Sequence, residues 1–248
     1  MEESVNSIEE RIEEVNRRIA AACERAGRDP ADVSLLAVAK TFGPDAVTEA
    51  AAAGITVIGE NKVQEAAAKI PLCPGHLKWH MIGHLQRNKV CPAVELFECI
   101  HSVDSLRLLE AIDRAGREAG RTVPAMLEIN VSGEGSKYGL KPEETPTVLK
   151  AAEGLTSIEV RGLMTMPPFA PEPESARPYF RRLRELRDEW QSQSGVPLED
   201  LSMGMSNDFE VAVEEGATWV RLGSVLFGTR TGRAWRRQDA PDSGGDDL

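Results

Sequence analysis

The chain has 248 residues, 41% of them hydrophobic and 28% charged, and a formal net charge of −11. It is long enough to bury one sizeable core without division into domains, and its acidic balance argues against a nucleic-acid partner, which needs clustered cations. The absence of any run of about 18 apolar residues excludes a membrane-spanning helix, and an N-terminus without a basic start and apolar centre points to a cytoplasmic protein.

Apolar residues at Val5, Ile8, Ile12, Val15, Ile19, Ala22 and Ala26 alternate at three and four. This predicts an opening amphipathic helix stopped by Gly27 and Pro30. Glu13 with Arg17 and Glu14 with Arg18 read as its solvated face. From Val33 the period changes, and short apolar runs alternate with amphipathic stretches. Strands are predicted at 33–39, 56–60, 78–82, 99–103, 125–131, 159–164, 201–203 and 218–222. Helices are predicted at 44–53, 61–70, 85–94, 105–119, 142–153, 175–191 and 208–215, several of them ended by glycine. In the 175–191 helix, Tyr179, Phe180, Leu183, Leu186 and Trp190 form the buried stripe. Eight strand–helix alternations predict a single-domain (β/α)8 TIM barrel over residues 1–230 with an extra N-terminal helix, an open doubly wound sheet being the alternative. Residues 231–248 end in an acidic, Gly- and Pro-containing composition that builds no core, so this tail is expected to be disordered. Cys23, Cys73, Cys91 and Cys99 have no C-x-x-C spacing and read as reduced thiols.

In either architecture, chemistry belongs at the C-terminal ends of the strands. Lys40 closes the first apolar run. A desolvated amine there can condense with a carbonyl as a Schiff base, although a lysine that merely carries its charge out to solvent has the same sequence. Asn61 follows strand two, Asn130 lies near the end of strand five and Met164 ends strand six. Ser202, Gly204 and Ser206 lie at the end of strand seven, and Arg221, Gly223, Ser224, Gly228 and Thr229 at the end of strand eight. Loops at these two places often bind phosphate through backbone amides; Ser206 and Asn207 also fit a helix N-cap. A Schiff-base lysine opposite a phosphate cup points to a phosphorylated aldehyde, with pyridoxal 5'-phosphate the first candidate. Arg221 would then donate to an unprotonated ring nitrogen and leave the ring a weak electron sink. A lyase using Lys40 directly on a sugar phosphate is a further possibility. His80 and His84 are four apart but fall on a strand and a turn, which disfavours a metal site. The segment 133–139 lacks the order of a nucleotide-binding glycine loop and reads as a mobile rim loop.

The strings LLAVAK-T at 35–41, GEN at 59–61, WHMIGHLQRNK at 79–89, RGLM at 161–164, LSMGMSND at 201–208 and RLGSVLFGTR at 221–230 resemble the YggS/PROSC family of pyridoxal phosphate homeostasis proteins. The resemblance runs in order from about Val33 to Arg230. It implies a barrel like the N-terminal barrel of alanine racemase, with Lys40 holding the cofactor as an internal aldimine. Ser206 with the backbone near Gly223, Ser224, Gly228 and Thr229 would bind the phosphate, and Arg221 would meet the ring nitrogen. Asn61, His80, Asn130 and Met164 match pocket positions, and Lys137 and Gly139 match the rim loop. Ala39 stands where many members have serine, and Ser224 where threonine is frequent. The implied role is a carrier or homeostasis protein with little or no turnover, whether it delivers, senses or buffers the cofactor being left open; cofactor-dependent apoenzymes are candidate partners, and a monomer is expected. A low-activity amino-acid racemase is the alternative. Barrel racemases draw a tyrosine from a separate β domain to work the second face of the substrate; here no such domain follows Arg230, and the chain's tyrosines are Tyr138 and Tyr179.

Overall fold

The computed structural model describes residues 7–135, 138–228 and 235. Its helix α1 (Ile8–Ala26) is opened by a capping box in which Ser7 and Glu10 satisfy each other's backbone amides, and is closed by Gly27 in the left-handed conformation. Eight strands follow: β1 (Ser34–Val38), β2 (Val57–Glu60), β3 (Lys78–Met81), β4 (Cys99–Val103), β5 (Val123–Glu128), β6 (Ile158–Met164), β7 (Asp200–Ser202) and β8 (Trp219–Leu222). All pair in parallel and in sequence order, and β8 returns to β1, so the barrel is closed and the open sheet is excluded. Between strands lie α2 (Pro44–Ala52), α3 (Val63–Lys69), α4 (Val90–Leu96), α5 (Leu106–Glu118), α6 (Thr145–Ala152), α7 (Arg177–Ser194) and α8 (Phe209–Glu214), with a single turn, α9 (Ser224–Phe227), after β8.

Alternation along each strand separates two interiors. Outward residues such as Ala37, Ile58, Met81 and Leu163 join the helices in one large apolar layer. Inward residues form two smaller clusters, Leu36, Val38, Val57 and Ile82 on one side and Cys99, Met126 and Met164 on the other. Trp219 packs against both. At Gly162 the backbone of β7 comes so close that an added Cβ would lie 2.0 Å from the Asp200 carbonyl oxygen. Only glycine permits that approach.

The departures from the predicted elements have local causes. Strand five starts earlier and ends at Glu128, because Ile129 turns off to bridge Leu140 across the following loop. Helix four begins at Val90, which puts Pro92 in its first turn, where a missing amide costs nothing. Tyr179 is half-buried and outside the stripe made by Phe180, Leu183, Leu186 and Trp190. The polar face of α1 is not simply solvated. Arg18 and Arg25 pair with Glu210 and Glu214 of the α8 region, and Arg18 lies 4.6 Å from the centre of the Phe209 ring. Thr229, Lys137 and, apart from Trp235, the 231–248 tail lie outside the described residues.

Candidate functional site

Register decides which residues meet at the C-terminal rim. Leu36 pairs with Arg221 and Ala37 with Leu222, so the chain leaving β8 runs beside the chain leaving β1. An added Cβ on Gly223 would touch the Val38 carbonyl at 3.4 Å, and Phe42 stacks on Phe227 with ring centres 4.8 Å apart. Lys40 therefore stands next to the turn that carries Gly223 and Ser224. Lys40 is exposed, as expected of a lysine that carries its charge out to solvent and not of a desolvated amine, the other expectation for this position. The strand stops at Val38, the Phe42 amide closes a turn onto the Ala39 carbonyl, and Thr41 takes φ 70°. Such a backbone is unfavourable for a β-branched residue and is held by its surroundings. One restraint is the Trp235 amide, which donates to the Thr41 carbonyl at 3.0 Å.

The buried lysine is Lys69. Fully enclosed, its ammonium donates to the Ala39 carbonyl at 2.9 Å and pairs with the equally enclosed Glu60 carboxylate. Burial pushes the Glu60 carboxyl up, opposed by the ammonium beside it. The pair fixes the backbone one residue before Lys40. Sequence reasoning missed it, although Lys69 falls three residues after Ala66 and six after Val63 on the buried face of α3.

After β7, Gly204 at φ 92° brings its Cα against α8, where an added Cβ would lie 2.6 Å from that of Ala212. Ser206 is not a helix cap. The residue before α8 is Asp208, whose carboxylate accepts from the Met205 amide at 2.7 Å, while Asn207 donates to the Ala170 carbonyl. The Ser206 hydroxyl instead accepts from the amides of Gly223 and Val225 at 3.3 and 3.4 Å. Two backbone N–H groups thus converge on one oxygen by long bonds. Gly228 turns back at φ 79° against the Arg11 guanidinium, which also donates to the Leu226 carbonyl.

Beneath the rim, Arg221 is buried and donates to the Ser202 hydroxyl at 2.8 Å and to the Thr165 carbonyl at 2.9 Å. Burial brings its guanidinium down to about 10, against the pull of Glu128 and Asp208, so it stays cationic at neutral pH. Ser202 is 2.8 Å from His101 Nδ1, and His101 Nε2 is 3.0 Å from His80 Nδ1. His80 therefore lies in the barrel interior beside His101, a residue the sequence did not single out. Cys99 adds a third possible metal donor, all three atoms falling within 4.8 Å. Burial raises that thiol far above its usual value, and the imidazoles face each other at hydrogen-bonding distance. His101 is bonded on both ring nitrogens, to Ser202 and to His80, so the two imidazoles form part of a hydrogen-bonded string.

The other expected residues divide. Met164 is fully buried in the interior, in one cluster with Cys99 and Met126. Asn61 carries the one buried side-chain oxygen, Oδ1, that lacks a hydrogen-bond partner among the described residues. Asn130 is spent on its own loop, accepting from Ser132 and Gly133 and donating to the Glu134 carbonyl. His84 pairs with Asp104 at 2.9 Å and stacks on Tyr138 at the rim. Glu128, also missed from the sequence, is buried at the end of β5. Burial, and then the Asp104 charge, push its carboxyl up to about 7 against the pull of Arg221. A separate cavity of about 510 Å³ opens at the other end of the barrel beside Arg28, Asp200 and Trp219, away from the lysine and the paired turns.

A barrel with a lysine after β1, hydroxyl turns after β7 and β8 and an arginine below them defines the class: residues 11–231 match the family model "Alanine racemase, N-terminal domain". Among curated relatives, the pyridoxal phosphate homeostasis protein of Aquifex aeolicus is 45% identical, with 89% of this chain and 97% of that protein covered. The mouse protein of the same name is 40% identical, over 87% of this chain and 84% of its own. Among solved structures, PipY of Synechococcus elongatus with PLP bound is 39% identical at a TM-score of 0.75, covering 86% of this chain and all of that one. Alanine racemase of Clostridium difficile shares the fold at 16% identity and a TM-score of 0.67, over 88% of this chain and 57% of that one. The chain belongs to the family of pyridoxal phosphate homeostasis proteins.

Two outcomes follow from the buried charges. Lys69→Met leaves Glu60 enclosed without its cation and is expected to cost about 3–5 kcal/mol in urea denaturation, with Lys69→Met/Glu60→Gln recovering part of the loss. A loss below about 1 kcal/mol would mean that water reaches the pair. Because the folded state keeps the Glu128 proton up to about 7 while the unfolded chain releases it near 4.5, this group lowers stability as pH rises through that window. Glu128→Gln is therefore expected to gain stability over the parent at about pH 8, by on the order of 1–3 kcal/mol, and to differ little below about pH 4.5. An equal difference at both pH values would contradict the assignment.

Proposed function

We propose that this protein binds pyridoxal 5'-phosphate on Lys40 and serves in cofactor homeostasis, with little or no turnover of its own. The observation that carries the reading is the placement of a buried, hydrogen-bonded arginine below the two turns that adjoin Lys40.

The residues fit such a ligand. The Gly223 and Val225 amides are held by the Ser206 hydroxyl at distances longer than the usual 2.9–3.0 Å, so phosphate oxygens can replace or share that acceptor. Asn61 Oδ1 offers a buried acceptor that no other described residue uses. Arg221 spends two N–H donors on Ser202 and Thr165 and has others to offer a ring nitrogen. Bound there, the cofactor supplies an aldehyde carbon open to amine attack and an aromatic ring able to delocalise charge.

The chain's own groups favour holding over catalysis. Arg221 keeps its proton, so it donates a hydrogen bond to the ring nitrogen without protonating it. Fast racemisation needs a proton-transferring group on each face of the substrate. Tyr138 is stacked on His84 at the rim, and Tyr179 lies on α7, outside the barrel. In this reading the protein works as a monomer in the cytoplasm, with cofactor-dependent apoenzymes as recipients. No helix among the described residues is long and apolar enough to cross a membrane.

Titration of the purified protein with pyridoxal phosphate is expected to give a saturable visible band that Lys40→Ala abolishes, while alanine or serine racemisation stays at the buffer rate. A band of full amplitude in Lys40→Ala, or robust racemisation by the parent, would contradict the reading.

A further inference from the structure

The polar groups inside the barrel form one continuous line between the two apolar clusters: Arg221, Ser202, His101 and His80. At its far end His80 and His101 pack against Trp219, with ring centres 5.1 and 6.0 Å apart. Ser202 and His101 are fully enclosed, so each proton on the line needs an acceptor within it.

Arginine only donates, which makes the Ser202 oxygen an acceptor. The Ser202 proton then has one partner on the line, His101 Nδ1. With that nitrogen occupied as an acceptor, His101 carries its proton on Nε2 and gives it to His80 Nδ1. The reverse order would leave the Ser202 hydroxyl proton enclosed without a partner and would turn the His101 N–H dipole toward the guanidinium cation. Both consequences are costly in a low-dielectric interior. Burial also disfavours the charged form of both imidazoles, His80 being lowered to about 4 and His101 well below its usual value, and this keeps each ring a donor on one side and an acceptor on the other.

We propose that Ser202, His101 and His80 form a one-way hydrogen-bond string that holds the Arg221 guanidinium in place as a donor to the ligand ring, with His101 as the positioning residue. The proposal rests on the cofactor reading above. Each dipole in the string points its acceptor end at Arg221, so the Ser202 oxygen is a stronger acceptor than an isolated hydroxyl. The guanidinium plane is thereby fixed from below by Ser202 and from the side by the Thr165 carbonyl, leaving its remaining donors for a ligand.

The direction of the string is read in the protein without cofactor. In histidine-15N-labelled protein, the His101 ring is expected to be protonated on Nε2 and bare on Nδ1 from about pH 6 to 8, the resonances being assigned by their loss in His101→Asn. A proton on Nδ1, or on both nitrogens, would overturn the proposal. Pyridoxal phosphate titrations then test the consequence. His101→Phe, and separately Ser202→Ala, are expected to weaken binding about tenfold and to move the absorption maximum of the bound cofactor. His101→Asn, which returns an acceptor oxygen near the Nδ1 position, is expected to restore most of both. Parent-like affinity and spectrum in the folded Phe and Ala variants would overturn the positioning role. If the parent itself binds no pyridoxal phosphate, the cofactor reading fails and the positioning role with it, while the tautomer result still decides the direction of the string.

Discussion

Closure of the sheet by β8 on β1 is the constraint from which the site follows. A parallel barrel places all eight strand C-termini on one rim, but it is the Leu36–Arg221 pairing that brings the first and last turns of the chain together there. Once that register is set, Lys40 stands beside Gly223 and Ser224, and Arg221, pointing inward from β8, lies beneath them. Residues from the first and the last strand ends thus bring a lysine, backbone amides and a cation to the same seam of the barrel. The packing of Phe42 on Phe227 and the approach of Gly223 to the Val38 carbonyl lock the same seam.

The fold was largely legible from the sequence because a strand buried on both faces, an amphipathic helix and, at several helix ends, a glycine stop each leave a local signature that recurs along the chain. Boundaries slipped where a tertiary contact decided them, as at Ile129, which leaves β5 to meet Leu140. The site was legible in its outline only. Lys40, Ser206, Gly223 and Arg221 could be located by their positions at strand ends, whereas the environment of each depends on neighbours distant in sequence. Lys40 reads as a buried lysine because the run before it is apolar, yet it is Lys69, at the end of a helix, that is enclosed. Ser206 looks like a cap, yet it serves the turn after β8. His101 sits in a strand with no distinguishing context, and its meaning comes from Ser202, a hundred residues away.

Two buried polar systems support the rim by different physics. The Lys69–Glu60 pair is a full ion pair out of water, costly to create and more costly to break, and its return is geometric: it fixes the Ala39 carbonyl and so the turn that presents Lys40. The Arg221 system instead hydrogen-bonds one cation to neutral groups, with the Glu128 and Asp208 carboxyls near enough to interact and Glu128 protonated over part of the physiological range. A guanidinium in that setting remains a donor at neutral pH. This favours a ligand with a bare ring nitrogen and disfavours the cationic ring that strong carbanion chemistry requires. On the proposed reading of the site, this setting would restrain the cofactor's reactivity and suit a holding role.

The most direct test of the central claim is the site of covalent attachment. The protein loaded with pyridoxal phosphate would be reduced with borohydride, digested and mapped by mass spectrometry. The account predicts a single stoichiometric label on the peptide containing Lys40, with Lys69 unmodified. Label on Lys69, or spread over surface lysines without preference for Lys40, would contradict it.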